Sequence, residues 1–486
     1  MSVIPQRVRG GIWLKGILGL FCTVALTCSA QKAPATPDRP WDSSGQHLAK
    51  DIARNPSSEI VTDPSKIYSL GELIDLAEEH NPQTRFAWAA AKRRAAEVGI
   101  ARSDMYPTLE GLVVAERSRN GVLINQGFVL QDLGLYQATL KLTYTLLDFG
   151  ARQSSIDTAK ANLLAADYAF NDTHLAIIYR ITQAYYRLEK AQGQRAAAEA
   201  NLQNAQGVQQ AAEARLKLGL ATLPDVLEAR SGSAQAEYDL QTAIGAQDVA
   251  FGDLATALTA SPVAPFKVQS LDDIAVPEKV DDTAEEAIER ALAGRPDLLQ
   301  RVAQVRSANA AVRHARSAFY PSLSFDGSDS FLRAWGQQPP FPSSYAGAQV
   351  YDARLNLNWT IFDGGKRVKE LARAKAEQKS AQAELNETRD QIADQVWTAY
   401  SDAETAFRQR AAATSLLQAS NESFNAAIES YKYGVRNLLD VLSAQKTLAQ
   451  ARSADVTARA QVLTRVAELA FRTGDLLRQS GRKPGP

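Results

Sequence analysis

The chain is almost empty of the side chains that do covalent or metal chemistry: its 486 residues include two cysteines, two methionines and four histidines. Both cysteines, Cys22 and Cys28, lie in the opening segment, where Arg7, Arg9 and Lys15 precede an apolar run that closes in small residues. That is the layout of a bacterial export signal over residues 1–30. Removal after Ala30 leaves no disulfide, no thiol chemistry and no cysteine metal site. The alternative is processing at Thr27, which leaves Cys28 as a lipid anchor.

His47, His80, His174 and His314 stand apart without metal-ligand spacing, and no G-x-S-x-G occurs. Asp363-Gly-Gly-Lys lacks the glycine spacing and the Ser or Thr of a phosphate loop. No enzyme, metal or cofactor is therefore expected. An excess of charge of one sign is missing too: 54 Lys and Arg balance 54 Asp and Glu, which removes the basic footprint of a nucleic-acid partner. Beyond residue 30 no run reaches the roughly eighteen apolar residues of a membrane-spanning helix. An exported bacterial chain of this kind belongs to the periplasm, the outside or the outer membrane.

What is present is helix. From about Arg152 to Leu218 there is no proline and almost no glycine, and at about 1.5 Å per residue such a helix is on the order of 100 Å long. Ile156, Leu163, Ile177, Ala184, Ala205 and Ala212 fall on one row at spacing seven, and Leu371, Leu385, Ile392, Ala399, Ala413 and Ala427 repeat it in the second half. A seven-residue row is coiled-coil packing, and its shift from large residues to alanine lets helices approach more closely at the far end. Each long helix stops at a glycine, Gly219 or Gly434, as a left-handed terminus requires. The chain then returns over roughly 225–260 and 438–478, which makes two antiparallel hairpins.

The two halves are copies. ARSDMYPTLEG (101–111) and LTYTLLDFGAR (142–152) recur as ARSAFYPSLSF (315–325) and LNWTIFDGGKR (357–367), at an offset of 214 or 215. The expected organisation is a signal peptide over 1–30, an extended arm over 31–66, repeats over 67–270 and 281–479, and a tail over 480–486. Asn81-Pro82 and Arg295-Pro296 open helices. Asp148 and Asp363 read as N-caps where strand becomes helix.

Between these blocks residues alternate. Tyr136, Ala138, Leu140, Leu142, Tyr144 and Leu146 face one way and Gln137, Thr139, Lys141, Thr143 and Thr145 the other; 351–361 and the stretch from Ser322 to Trp335 behave alike, and 108–119 is less regular. Period two over about eleven residues fits a tilted strand crossing a bilayer, apolar to lipid and polar to a lumen. Four such strands cannot close a barrel, and open edges are not tolerated in lipid, so several chains must share one. Three copies give twelve strands. A periplasmic coiled-coil scaffold or adaptor without a pore is the alternative.

The order of elements, the duplication, the Tyr106-Pro107 and Tyr320-Pro321 junctions, and the D-x-G-x-R junctions at Asp148, Gly150, Arg152 and Asp363, Gly365, Arg367 resemble the TolC family of outer-membrane efflux and secretion channels. So do the tips LGLATLPDVL and YGVRNLLDVL. The resemblance spans about residues 67–479. It implies an internally duplicated α+β membrane protein, with four transmembrane β-strands per chain in a shared 12-stranded trimeric barrel and a long α-helical coiled-coil periplasmic tunnel. As partners it implies outer-membrane lipid, a periplasmic adaptor, and an inner-membrane pump of RND, ABC or MFS type.

By the same resemblance Asp225, Tyr431 and Arg436 hold the periplasmic entrance closed, and Asp440 supplies one carboxylate ring at the pore. The position of a second ring is Ser443 here. Arg215, Leu216, Leu218, Gly219 and Leu220, with Tyr433, Gly434 and Val435, fall where the family meets its adaptor. Two of the gate positions do not recur: Tyr431 and Arg436 have Leu216 and Ala221 as their counterparts. A fold requirement recurs in both copies, so this asymmetry marks function in the second tip.

Overall fold

A computed structural model describes residues 63–124, 127–262, 266–269, 276–280, 282–337 and 342–476, all within a unit of the chain that begins at Glu59. The export segment, Cys28, most of the arm and the 480–486 tail lie outside the described residues.

The first half runs β1 (Ile67–Tyr68), α1 (Leu70–His80), α2 (Pro82–Ser103), β2 (Thr108–Ile124), β3 (Gly127–Leu147), α3 (Ala151–Lys217) and α4 (Leu223–Ala257). The second repeats that order as β4 (Lys267–Val268), α5 (Ala284–Gly294), α6 (Pro296–Ser317), β5 (Ser322–Gln337), β6 (Ser344–Asn358), α7 (Lys366–Lys432) and α8 (Leu438–Thr473). Both α3 and α7 have 67 residues. The local reasons repeat as well: capping boxes of Ser69 with Glu72 and of Thr283 with Glu286 start α1 and α5.

Packing follows the seven-residue rows. Ile392, Ala399, Ala406, Ala413, Ser420 and Ala427 of α7 are all buried, as are Ile156, Ile177, Ala184, Ala205 and Ala212 of α3. Helix α3 lies against both α4 and α8, and α8 against α7, so the two hairpins stand side by side through α3 and α8. A cluster around Leu73, Ile177, Ile181, Tyr185, Leu254 and Phe266 fixes the first repeat's short helix to its hairpin. Ala287, Ala291, Leu298, Ile392 and Val396 do the same in the second.

The strand-to-helix junctions differ from the expected N-caps in one detail. The cap positions are Gly150 and Gly365, held left-handed at φ 87° and 88°, and neither Asp148 nor Asp363 is the cap residue. Each aspartate stands two residues earlier. Asp148 accepts the Gly150 N–H at 3.1 Å, the Arg152 N–H at 2.9 Å and the Arg152 Nε at 2.8 Å. Asp363 repeats this with Gly365 and Arg367 at 3.1, 3.1 and 2.7 Å. The first-turn donors are satisfied from outside the helix, and the bound arginine reaches on to the Asp104 or Ala318 carbonyl. That ties the incoming short helix to the outgoing long one. Phe149, left-handed at φ 49° where the second repeat has Gly364, stacks on Tyr320 with ring centroids 5.0 Å apart.

The sheet is antiparallel in the order β2-β3-β5-β6, and the outer edges of β2 and β6 are unpaired among the described residues. Strand β3 of one repeat pairs with β5 of the other, so β6 pairing with β2 of a second copy repeats the same junction. Helix α6 sits between α3 and α7, whereas its counterpart α2 packs chiefly on α3 and leaves Phe86, Trp88 and Ile100 exposed. The strands have 17, 21, 16 and 15 residues, longer than the alternating stretches read from sequence. Alternation marks the part that faces lipid, and the backbone ladder runs on beyond it. In the other direction, β6 ends at Asn358, and Trp359 leaves the ladder to donate its Nε1 to the Phe319 carbonyl at 3.2 Å. Polar groups satisfy one another on the opposite face, where the Thr139 and Ser330 hydroxyls lie 2.9 Å apart and Gln137 donates to both.

Candidate functional site

The two hairpin tips pack together around Val208, Ala212, Val226, Phe424, Tyr431 and Val441. Each tip turns in the same way. The Gly219 N–H donates to the Leu216 carbonyl at 2.9 Å and the Leu220 N–H to the Arg215 carbonyl at 2.8 Å, with Gly219 at φ 71°. Gly434 at φ 77° repeats this with bonds to Tyr431 at 3.0 Å and from Val435 to Ser430 at 2.9 Å. Any side chain is strained at these two positions.

The return helices start differently. In the first tip, the Thr222 N–H and hydroxyl donate to Asp225 Oδ2 at 2.8 and 2.7 Å, and Thr222 caps the Asp225 N–H in turn. These bonds, joined by the Arg215 charge and opposed by slight burial, hold the Asp225 carboxyl below the usual range. In the second tip Asn437 caps the Asp440 N–H at 2.9 Å. The Asp440 carboxylate stays exposed, with no hydrogen-bond or ion-pair partner among the described residues.

Within one chain Asp225 is therefore bonded to its own cap, and to neither Tyr431 nor Arg436. The link between the tips is made by Arg215. Its Nη1 donates to the Tyr431 carbonyl at 2.5 Å, its Nη2 to the Leu220 carbonyl at 3.2 Å, and its guanidinium carbon lies 4.7 Å from the Tyr431 ring centroid. Tyr431 is buried, and its hydroxyl has no partner among the described residues. Burial pushes its phenol up, the Arg215 guanidinium opposes this, and the Asp225 carboxylate adds to it, which places all three groups in one field. Arg436 stands in solvent.

Of the residues expected to meet an adaptor, Leu218, Leu220, Tyr433 and Val435 are 74, 62, 82 and 79% exposed, and Gly219 and Gly434 lie exposed between them. Arg215 and Leu216 are placed otherwise. Arg215 is committed to backbone oxygens and Leu216 packs on the tip core. The Thr222–Asp225 box carries a readable signal, since Thr-x-x-Asp ahead of an apolar run is a capping pattern. No spacing announces the Arg215 bridge, because its acceptor in the other tip is a backbone carbonyl 216 residues away.

A four-stranded sheet with two open edges, continued by two long helical hairpins packed side by side, defines a class: an oligomeric outer-membrane channel with a helical tunnel. The sequence model described as outer membrane efflux protein matches residues 73–260 and 287–475, and the chain belongs to that family. It is 28% identical over 440 residues to outer membrane protein OprJ of Pseudomonas aeruginosa, covering 87% of this chain and 88% of that protein. It is also 28% identical over 414 residues to protein CyaE of Bordetella pertussis, covering 85% of each. The crystal structure of the Campylobacter jejuni CmeC outer membrane channel matches with a TM-score of 0.71 over 94% of this chain and 98% of that one, at 18% identity, which shows the fold. The protein is a trimeric exit channel of the outer membrane, the outermost component of an efflux or secretion machine that also comprises an adaptor and an inner-membrane pump. The scaffold alternative is set aside by the family and by the four-stranded sheet.

Proposed function

We propose that the helical tips are the channel's gate, with Asp225, Tyr431 and Arg436 holding it closed and Asp440 forming the charged constriction. The observation that carries this is the asymmetry between two tips that occupy equivalent places in the duplicated chain. Only the second presents a buried tyrosine with an uncommitted hydroxyl beside an exposed arginine without an ion-pair partner among the described residues. Across a subunit boundary such groups meet a neighbour's carboxylate in a charge-assisted bond, strong where water is excluded and weak where it is not. Three unpartnered Asp440 carboxylates around one axis concentrate cations there.

In this reading Leu218, Gly219, Leu220, Tyr433, Gly434 and Val435 are the adaptor's docking surface, and Arg215 and Leu216 support it from behind. The pump is of RND, ABC or MFS type, residues 67–270 and 281–479 are the two structural repeats, and Cys28 is the site of a lipid anchor if it is retained. Single-channel recording in a planar bilayer tests the gate. Tyr431→Phe combined with Arg436→Ser should raise conductance, and Asp440→Ala should lower cation selectivity and block by trivalent metal ions. Unchanged conductance removes the latch; unchanged selectivity places the constriction elsewhere.

A further inference from the structure

The lipid-facing side of the sheet changes character near its outer end. Register places Arg117, Gly134, Trp335 and Tyr345 in one cross-strand row, and Tyr136, Arg333 and Gly347 in the row below. The Arg117 guanidinium lies 5.5 Å from the Trp335 ring centroid, and that of Arg333 lies 5.5 Å from the centroid of Phe331. Trp335 itself lies across Gly134, where a Cβ would come within 2.0 Å of the indole Nε1. Glycine is thus the floor of a built platform. An arginine laid on an aromatic face keeps the N–H groups of its edge directed outward to oxygen acceptors.

Charge on this face is unbalanced. Arg119 in the next row meets Asp132 at 3.4 Å, but Arg117 and Arg333 have no carboxylate partner among the described residues. The Asp329 carboxylate, nearer the periplasm, is taken by Gln349 Nε2 at 3.1 and 3.0 Å. The strand ends bring no relief, since no charged residue occurs between Arg119 and Asp132 or between Arg333 and Asp352. In these outer rows Arg117, Arg119 and Arg333 therefore stand against Asp132 alone, and the face's other carboxylate, Asp329, lies two rows below Arg333.

Height decides what they meet. From Leu109 to Arg117 the strand climbs eight residues, roughly 27 Å along its own axis and about 20 Å after tilt, close to the height of a barrel's apolar band. Arg117, Arg333, Tyr136 and Trp335 then lie at the headgroups of the outer leaflet.

We propose that this patch binds the phosphates of a glycolipid headgroup in the outer leaflet, with one phosphate held between Arg117 and Arg333 over the Trp335 platform. The guanidinium fork matches phosphate oxygens two at a time, and the site recurs in each protomer. The test uses the full trimer in detergent, exposed to lipid A bearing its phosphates or to the same lipid A stripped of them, with bound lipid counted by native mass spectrometry. The wild type should retain the phosphorylated form several-fold above the stripped one. Arg117→Ala with Arg333→Ala should erase that preference, and lysine at both positions should keep most of it. Heat-resistant trimer and unchanged conductance control for folding; if the double alanine variant fails to assemble, Arg117→Gln alone must still reduce the preference. Equal retention of the two lipids by the wild type, or an undiminished preference in the variants, overturns the proposal.

Discussion

The Arg215 guanidinium bridges the two helical tips, donating to the Tyr431 carbonyl at 2.5 Å while lying over the Tyr431 ring. It thereby ties the end of α3 to the end of α7. Arg215→Ala should loosen this tie, raising single-channel conductance and its fluctuations without loss of trimer. Arg215→Lys should restore little, because an ammonium cannot serve two carbonyls and a ring face in one plane. A silent Arg215→Ala channel would show that hydrophobic tip packing suffices.

The junction aspartates give a pH dependence. Burial pulls the Asp148 carboxyl up, but the Arg152 backbone and guanidinium and the Gly150 N–H outweigh it and hold it below the ordinary range; Asp363 behaves likewise with Arg367 and Gly365. A depressed folded pKa contributes stability that is full above the unfolded value of about 3.9 and is lost as pH falls through the folded value. Asp148→Asn and Asp363→Asn should each lower the trimer's melting temperature near neutral pH. The gap to wild type should close as the solution is acidified below the carboxylate range. A gap constant with pH would assign the effect to shape.

The alanine rows are packing, so enlarging them should cost. Ala427→Leu, at a fully buried site in the tip core, should destabilise by about 1–3 kcal/mol in denaturant titration. Leu416→Ala, at a 47% exposed position on the same helix, should change stability by about 0.5 kcal/mol or less. Equal effects would contradict the assigned seam.

Gly134 should tolerate no side chain while Trp335 is present. Gly134→Val should reduce assembled trimer in the membrane, and adding Trp335→Ala should recover it, as read by heat-modifiable mobility on a gel. A single variant of wild-type yield would mean that the indole moves aside freely.

Much of this architecture was legible because its causes are local. Gly219 and Gly434 announce helix ends, the rows from Ile392 to Ala427 announce a seam, and the alternation from Tyr136 to Leu146 announces a lipid-facing strand. Asp148 stands two residues before the cap Gly150, a distinction the sequence hides because D-x-G does not say which of its residues closes the helix. Strand β2 looked irregular because Gly111 stands on its lipid side and Leu112 and Val114 on the other. The Arg215 bridge was invisible, since a long side chain that binds backbone oxygens leaves no pattern at its acceptors.

The unpaired edges of β2 and β6 pose a question of arithmetic. Two different edges that bind each other are a head-to-tail contact, and such a contact either closes into a ring or continues as a fibre. Nothing in the edge itself counts to three. The count must come from the angle each protomer adds, which resides in strand tilt, sheet twist and the wedge of hairpins beneath. Substitutions in the middle of the sheet should therefore change how many chains assemble, and substitutions along its edges only how firmly they do so.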